Sequence, residues 1–389
     1  MSEQIKINVG VIFGGRSVEH EVSIISAHQA MAAMNKDKYR AIPIYISKEG
    51  QWYSGEALLD LNAFKNMPKL LKEAIPIEIS ANYGQKEIFT RESGLFKKTW
   101  SEHLDVVLPV VHGTSVEDGC LQGLLETAGI PYAGPAVLGS AVGMDKIMMK
   151  AVLREAGLPV VDYRAYALYQ WQDDEEAVLA EIEKAFGYPL IIKPANLGSS
   201  IGITMVSEAA QLRDAVELAF SFSTRLIAEQ AVTPLREINC AVLGAPGDLI
   251  TSQCEEPKAC DEILSFSDKY LASSTKGMSG AKRRLLEDEP ELTAQIQDYA
   301  ARAFAAMDCH GVCRVDFLLN AASGEIYVNE LNTIPGSLSF YLFEPTGIPF
   351  AELVERLLRL ALERKRMQER LTTVYTSNIL AQGGFKGKK

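Results

Sequence analysis

Six cysteines in 389 residues, none in a CxxC pair, leave neither a disulfide framework nor zinc-finger spacing. Only Cys309, His310 and Cys313 stand close together, and they lack a second ligand pair, so reduced and mostly buried thiols are the expected state. No apolar run approaches the ~20 residues of a membrane-spanning helix. The N-terminal MSEQIKINVGVIFGG has no charged segment leading into a long apolar stretch and a small-residue cleavage site, which makes the cytoplasm the expected location. Positive charge is also scarce: 39 Lys+Arg against 50 Asp+Glu give a net charge of −11, which argues against broad electrostatic capture of nucleic acid or of an anionic membrane. No Walker A loop occurs, no G-x-G-x-x-G follows a strand, and no internal repeat is visible.

What is present is ordinary globular composition, 47% hydrophobic and 23% charged, in a chain long enough for two or three domains of roughly 150 residues. Residues 5–13 read as a buried strand broken by Gly14-Gly15, followed by a helix from near Ser17, the strand RAIPIYI, and DVVLPVV running into HGTSVEDG. This alternation predicts an α/β domain with a parallel sheet over residues 1–136. SAVGMDKIMMKAVLREAG reads as one helix opening a central α+β unit, residues 137–233, with strands at PLIIKP, ITMV and LIAEQAV. A third unit, residues 234–366, carries strands around REINCAVLG, GVCRVDFLL and EIYVNE and helices over 290–307 and 350–364. Its polar stretch 257–284 is too long for an ordinary connection and is a candidate lid, and residues 367–389 are expected to form a partly disordered tail.

The segment GVCRVDFLLNAASGEIYVNELNTIPG carries the strongest chemical signal. Strand alternation places Arg314, Asp316 and Leu318 on one face and Val315, Phe317 and Leu319 on the other. In the next strand it groups Val328, Glu330 and Asn332. Carboxylate and amide oxygens gathered this way suit Mg²⁺ beside phosphates, against the alternative of a solvated face with a salt bridge. KPANLGSSIG follows a buried strand and reads either as a phosphate cradle, with Lys193 adding charge, or as a tight hairpin. Gly198, Ser200 and Gly202 also satisfy G-x-S-x-G, but a strand rather than a helix follows, and no Asp…His pair suits a hydrolase. His112 ends a strand, Glu19 sits at a helix start, and Lys146, Lys193 and Lys269 matter only if the fold brings them to one anion.

FGGRSVEHEVS, the HG…EDG loop, SAVGMDK, IIKPANLGSSIG, REI, DKY, CRVDF and NELNTIPG stand in the order found in D-alanine:D-alanine ligases of the ATP-grasp superfamily. The resemblance runs from about Val9 to about Leu357. It implies three α/β domains with ATP between the second and third, and a cytoplasmic, ATP-driven joining of two D-alanines through an acylphosphate for peptidoglycan precursors. It also implies a homodimer and two Mg²⁺ ions, with Mn²⁺ as a substitute, while the acidic balance and the lack of long apolar runs argue against nucleic-acid and membrane partners. By motif position Glu19 resembles the residue that holds the first substrate's ammonium, with His112 close by. Lys146 and Lys193 resemble phosphate-contacting lysines, Glu229 would meet the adenine edge and Glu237 the ribose. Asp316, Glu330 and Asn332 match the metal ligands, and Arg314 matches the arginine at the developing oxyanion. Lys269 would reach the γ-phosphate from the lid, and Tyr270 would link through Ser199 to Glu19. Gly336, Ser337 and Tyr341 fall at the acceptor substrate.

Two positions depart from the family pattern. Val116 replaces the glycine of G-E-D-G, and Tyr341 stands where many members carry a serine for the acceptor carboxylate. A D-alanine:D-serine ligase on the same scaffold is therefore the neighbouring reading. A non-catalytic nucleotide-binding regulator is the reading from another class, opposed by the retained Arg314, Asp316, Glu330 and Asn332.

Overall fold

Val9, Val11, Ile12 and Phe13 are wholly shielded because their strand, Ile7–Gly14, lies between two parallel partners, Tyr39–Ile46 and Val106–Pro109. A strand covered on both faces reads as a continuous apolar run, the pattern seen here. Trp52–Ser54 and Ile75–Pro76 extend the sheet in antiparallel fashion, so the expected parallel sheet carries an antiparallel edge. A short turn joins Ile46 to Trp52, and a parallel neighbour would need a long crossover instead.

The computed structural model describes residues 5–90, 100–198, 201–257 and 283–377. Expectations for Ser199, Ser200, Cys260, Lys269 and Tyr270, for residues 258–282 of the candidate lid and for residues 378–389 of the tail lie outside the described residues. Among those described, no helix is long and apolar enough to cross a membrane.

The sequence SAVGMDKIMMKAVLREAG forms two helices instead of one, Val137–Met144 and Lys146–Glu155. Asp145 breaks the run because its carboxylate caps the second helix, accepting N–H bonds from Ile147 and Met148 at 3.1 Å each. Lys146 thereby becomes the first residue of a helix aimed at the next sheet. That sheet is antiparallel, in the order Thr204–Val206, Leu190–Pro194, Arg225–Gln230, Tyr163–Ala167. Leu190, Ile192, Leu226 and Ala228 face the helices Glu175–Phe186 and Leu212–Phe222 in one apolar core, leaving the alternate residues on the opposite face.

The largest sheet centres on Leu235–Ala245, Gly311–Asn320 and Ile326–Asn332, all antiparallel. Val315, Phe317 and Leu319 pack with Ile296, Ala300 and Phe304 of the helix Pro290–Ala306, while Arg314, Asp316 and Leu318 take the other face as expected. Val328 does not share a face with Glu330. The pairing shifts between Asp316 and Phe317, so Asn329 bulges, Val328 turns into the core, and Glu330 still faces the open side. Finally Leu353, Val354, Leu357 and Ala361 of the helix Phe350–Gln368 return to the first sheet's core. This helix runs a turn past the expected end at Arg364, whose guanidinium is buried and donates to the carbonyls of Tyr132 and Gly134 at 2.8 and 2.7 Å.

Candidate active site

The free faces of the two antiparallel sheets enclose a cleft of about 610 Å³, lined by Lys193 and Glu229 on one side and by Glu237, Arg314, Asp316 and Glu330 on the other. Lys193 ends the strand Leu190–Pro194. Its ammonium lies 2.6 Å from Oε2 of Glu229 and donates to Oδ1 of Asn329 at 3.1 Å. Oε1 of Glu229 lies 2.9 Å from the ammonium of Lys150. Burial alone would raise the Glu229 carboxyl, but Lys150 and Lys193 together hold it below the usual range. Burial draws Lys150 below the ordinary lysine value, with Glu229 opposing.

Across the cleft, Arg314 grips Asp316 through two parallel hydrogen bonds of 2.6 and 2.7 Å, and the Asn332 amide donates to the same carboxylate at 3.1 Å. Asp316 pairs with Glu330, and Arg314 with Asn332, across adjacent strands. The Glu330 carboxylate lies 3.4 Å from the Lys146 ammonium, which also donates to the Leu197 carbonyl at 2.7 Å. Lys193 thus lines the cleft from a strand, while Lys146, from a helix, lines the smaller cavity that adjoins it through Arg314 and Glu330. Among the described residues no cluster of three His, Cys, Asp or Glu side chains has metal-binding spacing. Two carboxylates and one amide are a sparse, all-oxygen donor set. They fit Mg²⁺, which keeps waters and draws further ligands from phosphates.

Arg314 also borders a second, much smaller cavity of about 40 Å³ that includes Glu19, His112, Glu117, Gly198 and Gly336. Glu19 immediately precedes the helix His20–Ala33, where the helix end favours a carboxylate. A Cβ at Gly198 would stand 2.9 Å from Oε2 of Glu19, so only glycine lets the Gly/Ser loop come this close. Nδ1 of His112 donates to the Ile334 carbonyl at 2.8 Å, which leaves Nε2 with its lone pair, buried and unbonded among the described residues. Burial lowers the His112 pKa and keeps the ring neutral. The loop after His112 takes its left-handed residues at Gly113, Ser115 and Gly119, and Val116 instead packs its side chain against Gly15.

The turn Gly336–Ser339 closes this end. Ser337, Leu338 and Ser339 all adopt left-handed φ of 53°, 51° and 51°, costly for residues other than glycine. The Ser337 N–H donates to the Ser26 hydroxyl at 2.9 Å, which ties the turn to the first domain. The hydroxyls of Ser337, Ser339 and Tyr341 are buried without a hydrogen bond of acceptable geometry among the described residues. The Arg283 guanidinium stacks on the Tyr341 ring at 3.8 Å. Burial, then Glu255, pushes the Tyr341 phenol up to about 12, against the nearby Arg314 and Arg283.

The fold thus brings together Glu19, His112, Lys146, Lys193, Glu229, Glu237, Arg314, Asp316, Glu330, Asn332 and Gly336 around two adjoining cavities. Ser337 and Tyr341 stand behind them, and Ser199, Lys269 and Tyr270 lie outside the described residues. Three members escaped the sequence reading. Asn329 enters only through the bulge. Lys150 carried one usable signal, a lysine one turn after Lys146 on an otherwise apolar helix face. Glu117 lay within the EDG motif but reads as a loop residue until its partners are seen.

Two family models match this chain. The one described as the D-ala D-ala ligase N-terminus matches residues 8–135, and the one described as the D-ala D-ala ligase C-terminus matches residues 152–359. A D-alanine-D-alanine ligase of Thermosipho melanesiensis is 38% identical over 92% of this chain and 94% of its own length. Among solved structures, the D-alanine-D-alanine ligase from Coxiella burnetii is similar with a TM-score of 0.76 and 32% identity, over 94% of this chain and 96% of that one. A D-Ala:D-Ser ligase from Enterococcus faecalis is similar with a TM-score of 0.76 and 34% identity, over 92% and 100%.

Proposed function

The chain belongs to the D-alanine:D-alanine ligase family, and from that premise we propose how its own residues carry the reaction. It is an enzyme, an ATP-dependent ligase that joins two D-alanines for peptidoglycan synthesis. The single observation that carries the residue assignment is the position of Arg314 between a nucleotide-sized cleft and a small cavity that ends at Glu19.

In this reading residues 1–136, 137–233 and 234–366 act as three domains, and the cleft between the second and third takes ATP. The adenine lies at the turn from Glu229 to Val232, Glu237 takes the ribose hydroxyls, and Lys146 and Lys193 take the phosphates. Asp316, Glu330 and Asn332 would hold two Mg²⁺ ions, with Mn²⁺ as a substitute, which would supply neutralisation of the phosphate charge. Glu19 pairs with the ammonium of the first D-alanine, beside neutral His112, and so turns the substrate's own carboxylate toward the γ-phosphate. That carboxylate attacks phosphorus, ADP leaves, and an acylphosphate forms. The amine of the second D-alanine then attacks the acyl carbon and phosphate departs. Arg314 stabilises the oxyanion of this second step, a contribution of about 3 kcal/mol for one well-placed donor.

Gly336, Ser337 and Tyr341 border the second substrate, with the strained turn holding their polar groups ready. Lys269, and Tyr270 through Ser199, complete the closure against water that an acylphosphate needs. A homodimer in the cytoplasm is the working form. The test is phosphate release by the purified protein with ATP, Mg²⁺ and D-alanine, repeated with D-serine or D-lactate in competition and with mass analysis of products. D-alanyl-D-alanine dominating every mixture supports the assignment. A mixed product moves the acceptor to D-serine, and ADP formation that ignores D-alanine overturns it.

A further inference from the structure

Lys150 has no part in the assignments above, yet its side chain is 0% exposed. Its ammonium is sealed between Glu229, 2.9 Å away, and the ring of Tyr163, whose centroid lies 5.8 Å off. Taking an ammonium out of water is costly, and a well-packed apolar residue of similar volume would stabilise this position at least as well. The charge therefore has a consequence that packing does not explain.

Lys150, Glu229 and Lys193 form one line of buried charge, plus, minus, plus, with the Glu229 oxygens divided between the two ammoniums. Lys193 borders the cleft and Lys150 does not. The line carries one surplus positive charge, and the only member that can offer it to a ligand is Lys193. Without Lys150, Glu229 would cancel Lys193 at 2.6 Å, and this part of the cleft would present a neutral pair to an anion. Asn329 supplies the second constraint, accepting from Lys193 at 3.1 Å so that its ammonium is held from two directions.

We propose that Lys150 is a positioning residue for the nucleotide: by occupying one oxygen of Glu229 it leaves Lys193 charged and aimed at the phosphate chain of ATP. The inference rests on the ATP-ligase reading, and its test is built to separate the two. Binding of ATP and of adenosine is measured by calorimetry for the full-length protein, for Lys150→Met, for Glu229→Gln, and for the double variant Lys150→Met with Glu229→Gln. Lys150→Met weakens ATP by roughly ten-fold or more, the loss of one charge-assisted contact, and leaves adenosine unchanged. The double variant binds ATP as tightly as Glu229→Gln alone, because once the carboxylate is gone Lys150 has nothing left to neutralise.

The inference is overturned by a Lys150→Met protein that binds ATP as tightly as the parent, by a parallel loss of adenosine, or by a Lys150→Met change that weakens ATP as much in the Glu229→Gln background as in the parent. Should Lys150→Met fail to fold, the double variant is judged against Glu229→Gln: equal ATP binding supports the inference and a further ten-fold loss refutes it. A parent protein that makes dipeptide while Lys150→Met keeps its ATP affinity refutes the inference only. A parent that binds no ATP removes the ligase reading and this inference with it.

Discussion

Oε1 of Glu117 accepts the backbone N–H of Ile334 at 2.9 Å and the Thr333 hydroxyl at 3.1 Å, while Oε2 accepts the N–H of Gly113 at 2.9 Å. One buried carboxylate thus ties the loop that carries His112 to the loop that follows Asn332. The His112 bond to the Ile334 carbonyl runs beside it in the opposite sense. The Glu19–His112 end and the Asp316–Asn332 end of the site are held in register by these few bonds.

That carboxylate also sets a pH dependence. Burial, then the nearby Glu19, pushes the Glu117 carboxyl from 4.5 up to about 7. A carboxyl with a higher pKa folded than unfolded contributes its full stability below the unfolded value and loses it as pH rises through the folded value. Relative to Glu117→Gln, the parent protein should therefore lose about 3 kcal/mol between pH 4.5 and 7, seen as a shrinking difference in Tm. A difference that stays constant across this range would contradict the shift.

Glu330 faces both the Lys146 ammonium and Asp316 on the neighbouring strand. Glu330→Gln keeps the shape and removes the charge, so turnover should fall by roughly a hundred-fold or more while the circular dichroism spectrum stays that of the parent. Phosphate release near the parental rate would take Glu330 out of the metal set.

Asp145 caps the helix that begins at Lys146 and pairs with Arg225. Asp145→Ala should cost about 1–2 kcal/mol in denaturant unfolding. Because Lys146 is the first residue of that helix, the KM for ATP should rise as well. Lost stability with an unchanged KM would show that Lys146 is placed by its contacts with Leu197 and Glu330 and not by the cap.

Tyr341 is a neutral phenol at any working pH, buried beside Arg314 and covered by Arg283. Tyr341→Phe should raise the KM of the second D-alanine by roughly ten-fold and leave that of the first unchanged, since one hydrogen bond to a charged group is lost. Equal kinetics for both substrates would place the hydroxyl outside the acceptor site. Tyr341→Ser removes the ring under Arg283 and should admit larger acceptors in product analysis, at a stability cost of about 3 kcal/mol.

Local geometry made part of this site readable from the sequence. Strand alternation follows from covalent structure, so Arg314 and Asp316 could be put on one face, and the apolar run Val9–Phe13 assigned to a buried strand, before any fold was known. Where one residue breaks that periodicity the reading failed: the bulge at Asn329 moved Val328 into the core, and the Asp145 cap cut one helix into two. Convergence was decided by tertiary structure alone. Glu117 meets Ile334 across 217 positions, Lys193 meets Asn329 across 136, and nothing near Lys150 in the sequence announces Glu229. Buried charges find partners because leaving them unpaired is costly, but which partner they find depends on how the sheets and helices pack, a property of the whole chain and not of any segment.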